Sequence, residues 1–352
     1  MRQVGWCAGV AVAAAATLGA TLVPAAGPTR HTVRPGESIQ AAVDAARPGD
    51  TVVVAPGTYR ESVRINKDGV RLRGSGTETV LVPASGTQLS SCARDGHGIC
   101  VTGTPGDPVT GVSVRSLTLS GFRQHGLWAS RTEGLAVEQV IAEKNGTWGI
   151  AQQRSVKSLL RGNTVRANGD AGLFVANAID AEGGAIDTGG TLITGNRSED
   201  NRIGLTVRRV RNLTIRTNEI SGNCAGVFVV GDETKPYAGA MTLRGNVVRE
   251  NNKRCPATPR LPVLQGSGIV LTGSEATVIR DNQVIGNVGT APMSGGIVLV
   301  KSFVGATNTD NVIERNEVRD NSTADLVNQG GGSGNTFRDN DCRTSTPAGM
   351  CA

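Results

Sequence analysis

Histidine, methionine and aromatic residues are scarce in this chain. Among 352 residues there are 3 His, 4 Met and 10 aromatic residues (3 Trp, 2 Tyr and 5 Phe), whereas glycine, at 48, has about twice its usual share. So few large side chains beside so much glycine exclude a helical bundle, and so few soft ligands argue against a copper-binding protein. Because 38% of the residues are hydrophobic and only 19% are charged, the chain has the material for a core and is not intrinsically disordered.

The basic excess is small and selects no partner by itself. The formal net charge is +6, and only 6 of the 36 basic residues are Lys. A mildly basic balance suits acidic polysaccharides or nucleic acid, but an ordinary protein surface has the same balance. We therefore expect no nucleic-acid partner.

The N-terminus carries the one long apolar run. Arg2 supplies a positive charge, Ala8 to Leu22 form an apolar run, and Val23-Pro24-Ala25 resembles a cleavage site with small residues. We interpret residues 1–25 as an export signal and expect a secreted, extracellular protein with no membrane contact after cleavage. A membrane anchor is the alternative, but the run is shorter than the roughly 20 apolar residues of a span.

Six cysteines remain after Cys7 leaves with the signal. An even number in an exported chain indicates disulfides, and neither a CxxC pair nor a nearby His supports zinc. Their order along the chain favours three local bridges among 15 possible pairings. The three pairs are Cys92 with Cys100, Cys224 with Cys255, and Cys342 with Cys351.

Two short patterns recur together along the chain. One is Asn, four residues, Asn, which occurs at Asn163/Asn168, Asn196/Asn201, Asn218/Asn223, Asn246/Asn251, Asn282/Asn287, Asn316/Asn321 and Asn335/Asn340. The other is Gly followed by alternating apolar residues, and it begins at Gly98, Gly126, Gly149, Gly172, Gly204, Gly226, Gly268 and Gly296. Successive glycines of this set are never closer than 22 residues.

A minimum spacing with variable additions describes a coil of fixed circumference that carries loops. Each coil holds three short strands: one before the first Asn, one between the two Asn and one after the Gly. Stacked coils form parallel sheets about 4.8 Å apart. We expect Asn and Gly to occupy left-handed corners, with Asn amides bonded from coil to coil. Leucine-rich repeats and propellers do not fit this spacing.

Over residues 31–342 the sequence resembles right-handed parallel β-helix proteins of the pectin-lyase-like superfold, through these Asn and Gly columns. The resemblance implies an all-β solenoid with three short parallel sheets, here a single domain over residues 31–352. The segment from Glu37 to Glu61 is similar to one common at the start of such proteins. Its apolar spacing predicts a helical cap over about 37–47, and the Cys342 bridge would tie down a tail at 342–352. We expect a monomer.

In this family a polysaccharide cleft commonly follows the Gly-led strands, walled by loops such as 177–190, 231–240, 252–266, 288–295 and 301–311. The resemblance implies a secreted protein that recognises a polysaccharide, an acidic one included. Whether it also cleaves the polymer stays open, and an enzyme of this kind would be a lyase or a glycoside hydrolase. The alternative is a noncatalytic cell-surface or interaction module.

Strand alternation places three aromatic side chains, Trp128, Phe174 and Phe228, outside the Gly-led strands. They would stack on sugar rings or, alternatively, pack beneath the long loops. Arg208 is the one charge on this floor, so other reactive groups must come from the loops: Asp180, Glu182, Asp187, Asp232, Glu233, Lys235 and Tyr237. Uronate elimination needs a base and a cation, and glycoside hydrolysis needs two carboxylates. Our catalytic candidates are Asp187, Arg208, Asp232 and Lys235.

Specific signatures are mostly missing. Gly57-Thr-Tyr-Arg-Glu61 matches one element of pectin methylesterases, but their other elements are absent, as is the DPHD of alginate epimerases. No motif indicates calcium, so calcium dependence stays open. Of His97 and His125, the second precedes a Gly-led strand and is either an acid or base that faces the cleft or a corner residue bonded to backbone. Four arginines two residues before the first Asn, interpreted as solvated surface or as a grip on an anionic polymer, are Arg161, Arg216, Arg244 and Arg280.

Overall fold

A computed structural model describes residues 1–9, 27–85, 90–178 and 183–351. Most of the predicted export signal and the candidates Asp180 and Glu182 lie outside these residues. The described chain folds into a right-handed parallel β-helix built from three parallel sheets, as predicted. None of the described helices has the length and hydrophobicity of a membrane span.

The sheets are numbered in the order in which each coil visits them. Sheet 1 contains Arg30–Val33, Thr51–Val54, Arg71–Arg73, Ser113–Arg115, Ala136–Glu138, Leu159–Arg161, Ile186–Thr194, Val210–Arg216, Thr242–Arg244, Val278–Arg280, Val312–Glu314 and Thr336–Arg338. Sheet 2 contains Gly57–Arg60, Thr79–Val82, Thr118–Ser120, Ile141–Glu143, Thr164–Arg166, Arg197–Glu199, Glu219–Ser221, Val247–Arg249, Gln283–Ile285 and Glu317–Arg319. Sheet 3 contains Val63–Ile65, Ile99–Thr102, Leu127–Ser130, Ile150–Gln153, Ala171–Ala176, Ile203–Arg208, Ala225–Val230, Ser267–Thr272, Gly295–Val300, Leu326–Gln329 and Ser345–Thr346.

Few elements lie outside these sheets in the described chain. Val109–Thr110 and Thr132–Glu133 form a two-stranded sheet, and the helices are Ile39–Ala45, Gly76–Glu78 and Ser91–Arg94. In the helix Ile39–Ala45, the side chains of Ile39 and Val43 are buried in the core of the solenoid. Ser38 caps this helix, because its hydroxyl accepts a hydrogen bond from the N–H of Ala41 at 3.1 Å.

Short strands bury one side chain each inside the coil. In Thr242–Arg244 and Val247–Arg249 the central residues Leu243 and Val248 are fully buried. Their partners in the next coil, Ile279 and Val284, lie directly alongside in parallel register and are equally buried. Period-two alternation therefore fills the interior with stacked aliphatic columns.

Two asparagine ladders line the corners of the coils. The first joins Asn163, Asn196, Asn218, Asn246, Asn282, Asn316 and Asn340, with amide-to-amide distances of 2.8–2.9 Å. The second joins Asn145, Asn168, Asn201, Asn223, Asn251, Asn287 and Asn321 at 2.8–3.2 Å. The predicted stacking of asparagines is therefore present, and the amides satisfy buried groups that have no access to water.

The assignment of Asn335 to the first ladder was wrong. Asn340 occupies that position. Asn335 instead belongs to a third, shorter column, in which its Oδ1 accepts a hydrogen bond from Nδ2 of Asn311 at 2.9 Å. Asn311 and Asn316 are themselves five residues apart, so the repeat contains a further in-register pair that makes Asn335 ambiguous from spacing alone.

The left-handed corners belong to the residue before each ladder asparagine. Ala167 has φ 52°, Thr217 has φ 52° and Glu250 has φ 53°, each preceding a ladder Asn, whereas the ladder asparagines are not left-handed. The predicted left-handed backbone of asparagine is thus incorrect, whereas the predicted bonding of its amide from coil to coil is confirmed. Asparagine is needed for its side chain, which both donates and accepts within the ladder.

The Gly-led column was also assigned the wrong cause. Its glycines do not have positive φ. A Cβ at Gly149 would lie 2.6 Å from the carbonyl oxygen of Gly172 and 2.9 Å from Nδ2 of Asn168. Glycine is required there because the backbone of the next coil and the second ladder leave no room for a side chain.

Asp325 ends the second ladder. Its Oδ1 accepts hydrogen bonds from the N–H and the Nδ2 of Asn321, both at 3.1 Å. Its Oδ2 accepts from the backbone N–H groups of Arg343 and Thr344, at 3.0 and 3.1 Å. A carboxylate that only accepts therefore closes a chain of amides that all donate in the same direction.

All three predicted disulfides are formed. They join Cys92 to Cys100, Cys224 to Cys255 and Cys342 to Cys351. The Cys224 bridge anchors the long loop 252–266 to the corner that follows Asn223. The Cys342 bridge closes a short loop at the C-terminal tail.

Candidate functional site

The outer face of sheet 3, the predicted cleft floor, is largely covered. Phe228 is 1% exposed and Phe174 is 6% exposed, and both belong to a second apolar cluster outside the coil. Leu264 and Met293, from the loops 252–266 and 288–295, belong to the same cluster and are buried. Phe174 and Phe228 therefore present no open ring face to a sugar, and the alternative of packing beneath the loops describes them better.

Trp128 remains partly exposed at the edge of an aromatic stack. His125 is stacked between His97 and Trp148, at ring-centroid distances of 4.5 and 4.4 Å, and Trp148 stacks on Phe174 at 4.0 Å. Burial lowers the pKa of His97 to about 4 and that of His125 to about 3, so both rings are neutral near pH 7. This neutrality suits packing and does not supply an acid.

Sequence reasoning missed Trp148 and Asp170, which meet beside this stack. The indole Nε1 of Trp148 donates to Oδ2 of Asp170 at 3.0 Å, and Nε of Arg202 lies 3.9 Å from Oδ1. Burial raises the pKa of Asp170, although the indole and the guanidinium both act against this. Trp148 stands directly before Gly149, and the same position before Gly126 holds His125, so aligning the coils on their glycines would have found the stack.

The four catalytic candidates belong to three segments: the strand Ile186–Thr194, the strand Ile203–Arg208 and the loop 231–240. Asp232 is 3% exposed and forms an ion pair with the buried Arg209, while its Oδ1 accepts from the N–H of Thr234 at 3.1 Å. Arg208, at the end of its strand, is half-buried on the floor of sheet 3. The geometry thus places Asp232 in a structural pair.

Asp187 lies at the surface, at the corner between sheets 3 and 1. Its Oδ1 accepts from the N–H of Gly189 and from Nδ2 of Asn212, each at 2.8 Å. The backbone N–H of Gly189, then the Asn212 amide, lowers the pKa of this carboxyl, with a further contribution from Arg211. Asp187 pairs with Arg211 in the parallel register, so the two side chains belong to adjacent coils.

A groove of about 490 Å³ opens at this corner, and we call it the corner groove. It is lined by Arg211, Lys235, Pro236, Tyr237 and Glu275. The Lys235 ammonium lies 5.7 Å from the centre of the Tyr237 ring, and the Arg211 guanidinium lies 3.3 Å from a Glu275 carboxylate oxygen. An aromatic ring, two cations and a carboxylate therefore meet in one solvent-open space.

Two of the lining residues, Arg211 and Glu275, were missed from sequence. Both lie seven residues before a first-ladder asparagine, as do Gly239 and Thr309. The structure pairs these four in consecutive order, Arg211 with Gly239, Gly239 with Glu275, and Glu275 with Thr309. Aligning the coils on the first-ladder asparagines and comparing the residues seven positions earlier would therefore have placed Arg211 and Glu275 in one column.

Two family models match the chain. The family described as right handed beta helix region matches residues 68–238, and the family described as periplasmic copper-binding protein (NosD) matches residues 179–346. No curated protein sequence matches significantly.

The residues of the second match do not suit copper. All three histidines, at positions 31, 97 and 125, precede it, and the three cysteines within it, Cys224, Cys255 and Cys342, are all bonded in disulfides. Met241 and Met293 are buried at 1% and 3% exposure. Among the described residues no group of three or more His, Cys, Asp or Glu is placed to hold a metal ion. The soft donors that copper prefers are thus missing or occupied.

Solved structures with the same fold include several polysaccharide enzymes. A mannuronan C-5 epimerase A-module of Azotobacter vinelandii is 21% identical, with TM-score 0.50 and coverage of 87% of this chain and 88% of that chain. A periplasmic alginate epimerase is 15% identical, with TM-score 0.55 and coverage of 90% and 71%. A pectate lyase is 13% identical, with TM-score 0.52 and coverage of 93% and 82%. With its three parallel sheets and stacked asparagines, the chain has the fold of a right-handed parallel β-helix.

Proposed function

We propose that this protein is exported and recognises an acidic polysaccharide at the corner groove. The observation that carries the proposal is the meeting of the Tyr237 ring with the Lys235 and Arg211 cations in one open groove. Sugar rings stack on aromatic faces, and uronate carboxylates bind Lys and Arg.

The groove has the polarity that such a ligand needs. Glu275 holds Arg211 in place through their ion pair. Asp187 lies beside Arg211 in the strand register, and because its pKa is lowered, its carboxylate stays ionised and accepts hydrogen bonds from sugar hydroxyls. Lys235 has no carboxylate within ion-pair distance among the described residues, which leaves its charge available to a ligand.

The wider context supports an extracytoplasmic polysaccharide protein. Mannuronan, alginate and pectate are the polymers named for structural neighbours, and all are acidic. Three disulfides suit an oxidising compartment, as does the export signal predicted at residues 1–25. In the same proposal the helix Ile39–Ala45 covers the N-terminal end of the stack as a cap, and residues 31–352 act as one domain.

Of the catalytic candidates, Lys235 and Asp187 become ligand contacts in this proposal, and Arg208 stays a candidate on the floor of sheet 3. A noncatalytic module is the second candidate function. It is favoured by the apolar cluster that covers the predicted cleft, because buried Phe174 and Phe228 leave no accessible reaction site on that part of the sheet.

Binding to alginate, pectate and a neutral glycan tests recognition, with Tyr237→Ala and Lys235→Ala as groove variants. Lys144→Ala is the matched control, since Lys144 is exposed at the corner between sheets 2 and 3. We expect each groove variant to weaken binding of an acidic polymer at least about tenfold and the control to leave it unchanged. Wild-type protein that binds none of the polymers would refute the proposal. Absorbance of unsaturated products and reducing ends, followed in the same samples, decides between an enzyme and a module.

A further inference from the structure

A column of charged side chains runs across the outer face of sheet 1. Its in-register members from Arg73 onward are Arg73, Arg115, Glu138, Arg161, Thr194, Arg216, Arg244, Arg280, Glu314 and Arg338. Acidic and basic residues alternate around Glu138 and around Glu314. The middle holds three arginines on adjacent strands.

The parts of the column around Glu138 and Glu314 are electrically balanced. Glu138 bonds to both Arg115 and Arg161, on the strands at either side of it. Glu314 bonds to Arg338, which lowers the pKa of the Glu314 carboxyl against a smaller effect of burial. Each buried carboxylate thus neutralises the arginines of the neighbouring coils.

The middle of the column lacks this balance. Arg280 pairs with Asp281 at 3.2 Å, but neither Arg216 nor Arg244 has a carboxylate within ion-pair distance among the described residues. The Nε of Arg216 is buried and makes no hydrogen bond. Like charges on adjacent strands, about 4.8 Å apart, repel each other, so this pair raises the free energy of the unliganded fold.

A groove of about 210 Å³ lies at this pair and is lined by Arg216, Thr217, Arg244, Gly245 and Asp281. The Asp281 carboxylate is already bound on both oxygens, Oδ2 by Arg280 and Oδ1 by Arg315 at 3.0 Å. The negative charge of Asp281 is therefore shared between Arg280 and Arg315, and it does not neutralise Arg216 or Arg244.

We propose that Arg216 and Arg244 form an anion-binding site for the sulfate or carboxylate groups of an acidic polysaccharide. Two guanidinium groups present planar forks of N–H donors, which match the oxygens of such groups and need no metal ion. Because Arg216 and Arg244 lie on adjacent strands, their two positive charges stand side by side, an arrangement that suits a polymer whose anionic groups repeat regularly.

This site is separate from the corner groove. Arg211 and Arg216 lie on the same strand, Val210–Arg216, five residues and therefore about 16 Å apart. The proposal stands whether or not the corner groove binds sugar, because its charges and its cavity belong to the opposite end of the strand.

The experiment measures binding of full-length protein to heparin, alginate and double-stranded DNA at several ionic strengths. The test variant Arg216→Ala/Arg244→Ala removes two positive charges. The control variant Arg60→Ala/Arg64→Ala also removes two positive charges, from exposed residues near the N-terminal end of the β-helix. Circular dichroism confirms that both variants fold. We expect the first variant to weaken binding of heparin or alginate at least about tenfold, with a shallower salt dependence, and the control to change it less than about twofold.

Three results would overturn the proposal. Equal losses in the test and control variants would show a nonspecific effect of net charge. Tighter binding of DNA than of either polysaccharide at the same ionic strength would contradict the assigned ligand class. Loss of heparin and alginate binding in Tyr237→Ala together with unchanged binding in Arg216→Ala/Arg244→Ala would place the polymer in the corner groove alone.

Discussion

Replacing Asn246 by Ala tests the ladder on which the fold depends. Asn246 is 1% exposed, and its Oδ1 accepts from the backbone N–H of Asn218 at 3.1 Å and from Nδ2 of Asn218 at 2.9 Å. Its own Nδ2 donates to Ile215 and Asn282 at 3.1 and 2.8 Å. The substitution therefore removes four buried hydrogen bonds from the middle of the first ladder.

The expected cost follows from the donors left without acceptors. Two donors of Asn218 lose Oδ1 of Asn246, and each buried unsatisfied donor costs about 1–3 kcal/mol, so we expect a loss of about 2–6 kcal/mol in the free energy of unfolding. Because coils are coupled to their neighbours, the damage should spread beyond one coil.

Urea unfolding followed by circular dichroism measures this loss. Asn328→Ala is the control, because the Asn328 side chain is half-buried and makes no hydrogen bond to the described residues. We expect the control to cost less than about 1 kcal/mol. A loss below about 0.5 kcal/mol for Asn246→Ala, or equal losses in both variants, would refute the reasoning.

Three further predictions concern packing, cross-linking and pH. Gly149→Ala should cost about 1–3 kcal/mol in urea unfolding, whereas Gly27→Ala, where a Cβ meets no atom within 4 Å, should cost almost nothing. Replacing Cys224 and Cys255 by Ser should cost on the order of 3–4 kcal/mol, because their bridge closes a loop with a sequence separation of 31, and fluorescence of a dye that binds apolar surface should rise. Since the pKa of His125 is lowered in the fold to about 3, the unfolded chain binds more protons in acid, and stability should fall as the pH drops from about 6.5 toward about 3. His125→Phe keeps the stack and should reduce that loss when urea midpoints are compared at pH 7.5 and 5; an unchanged pH dependence would contradict the assignment.

The fold was predictable because its causes are local and repeated. Every coil needs the same ladder side chain at the same corner, so Asn218, Asn246 and Asn282 recur at countable positions. The reasons behind the pattern were less accessible. The crowding at Gly149 comes from the backbone of the next coil, and no single coil of sequence contains that information.

The site was only partly predictable. The alternation of side chains along a strand correctly predicts that Phe228 points out of the coil. What covers Phe228 depends on the loop 252–266, whose sequence shows no repeating pattern and which one disulfide anchors. The corner groove contains Lys235 and Tyr237, both named from sequence, together with Arg211 and Glu275, which become neighbours only through the register of separate coils.

Asp325 gives the solenoid a direction of growth. Gene duplication can insert a whole 22-residue coil anywhere before it, since each new asparagine receives from one neighbour and gives to the other. A coil added after Asp325 would face a carboxylate that has no N–H to donate, so the ladder of hydrogen bonds could not continue into that coil. Lengthening of this architecture during evolution, or by design, should therefore proceed through internal copies that leave this terminus in place.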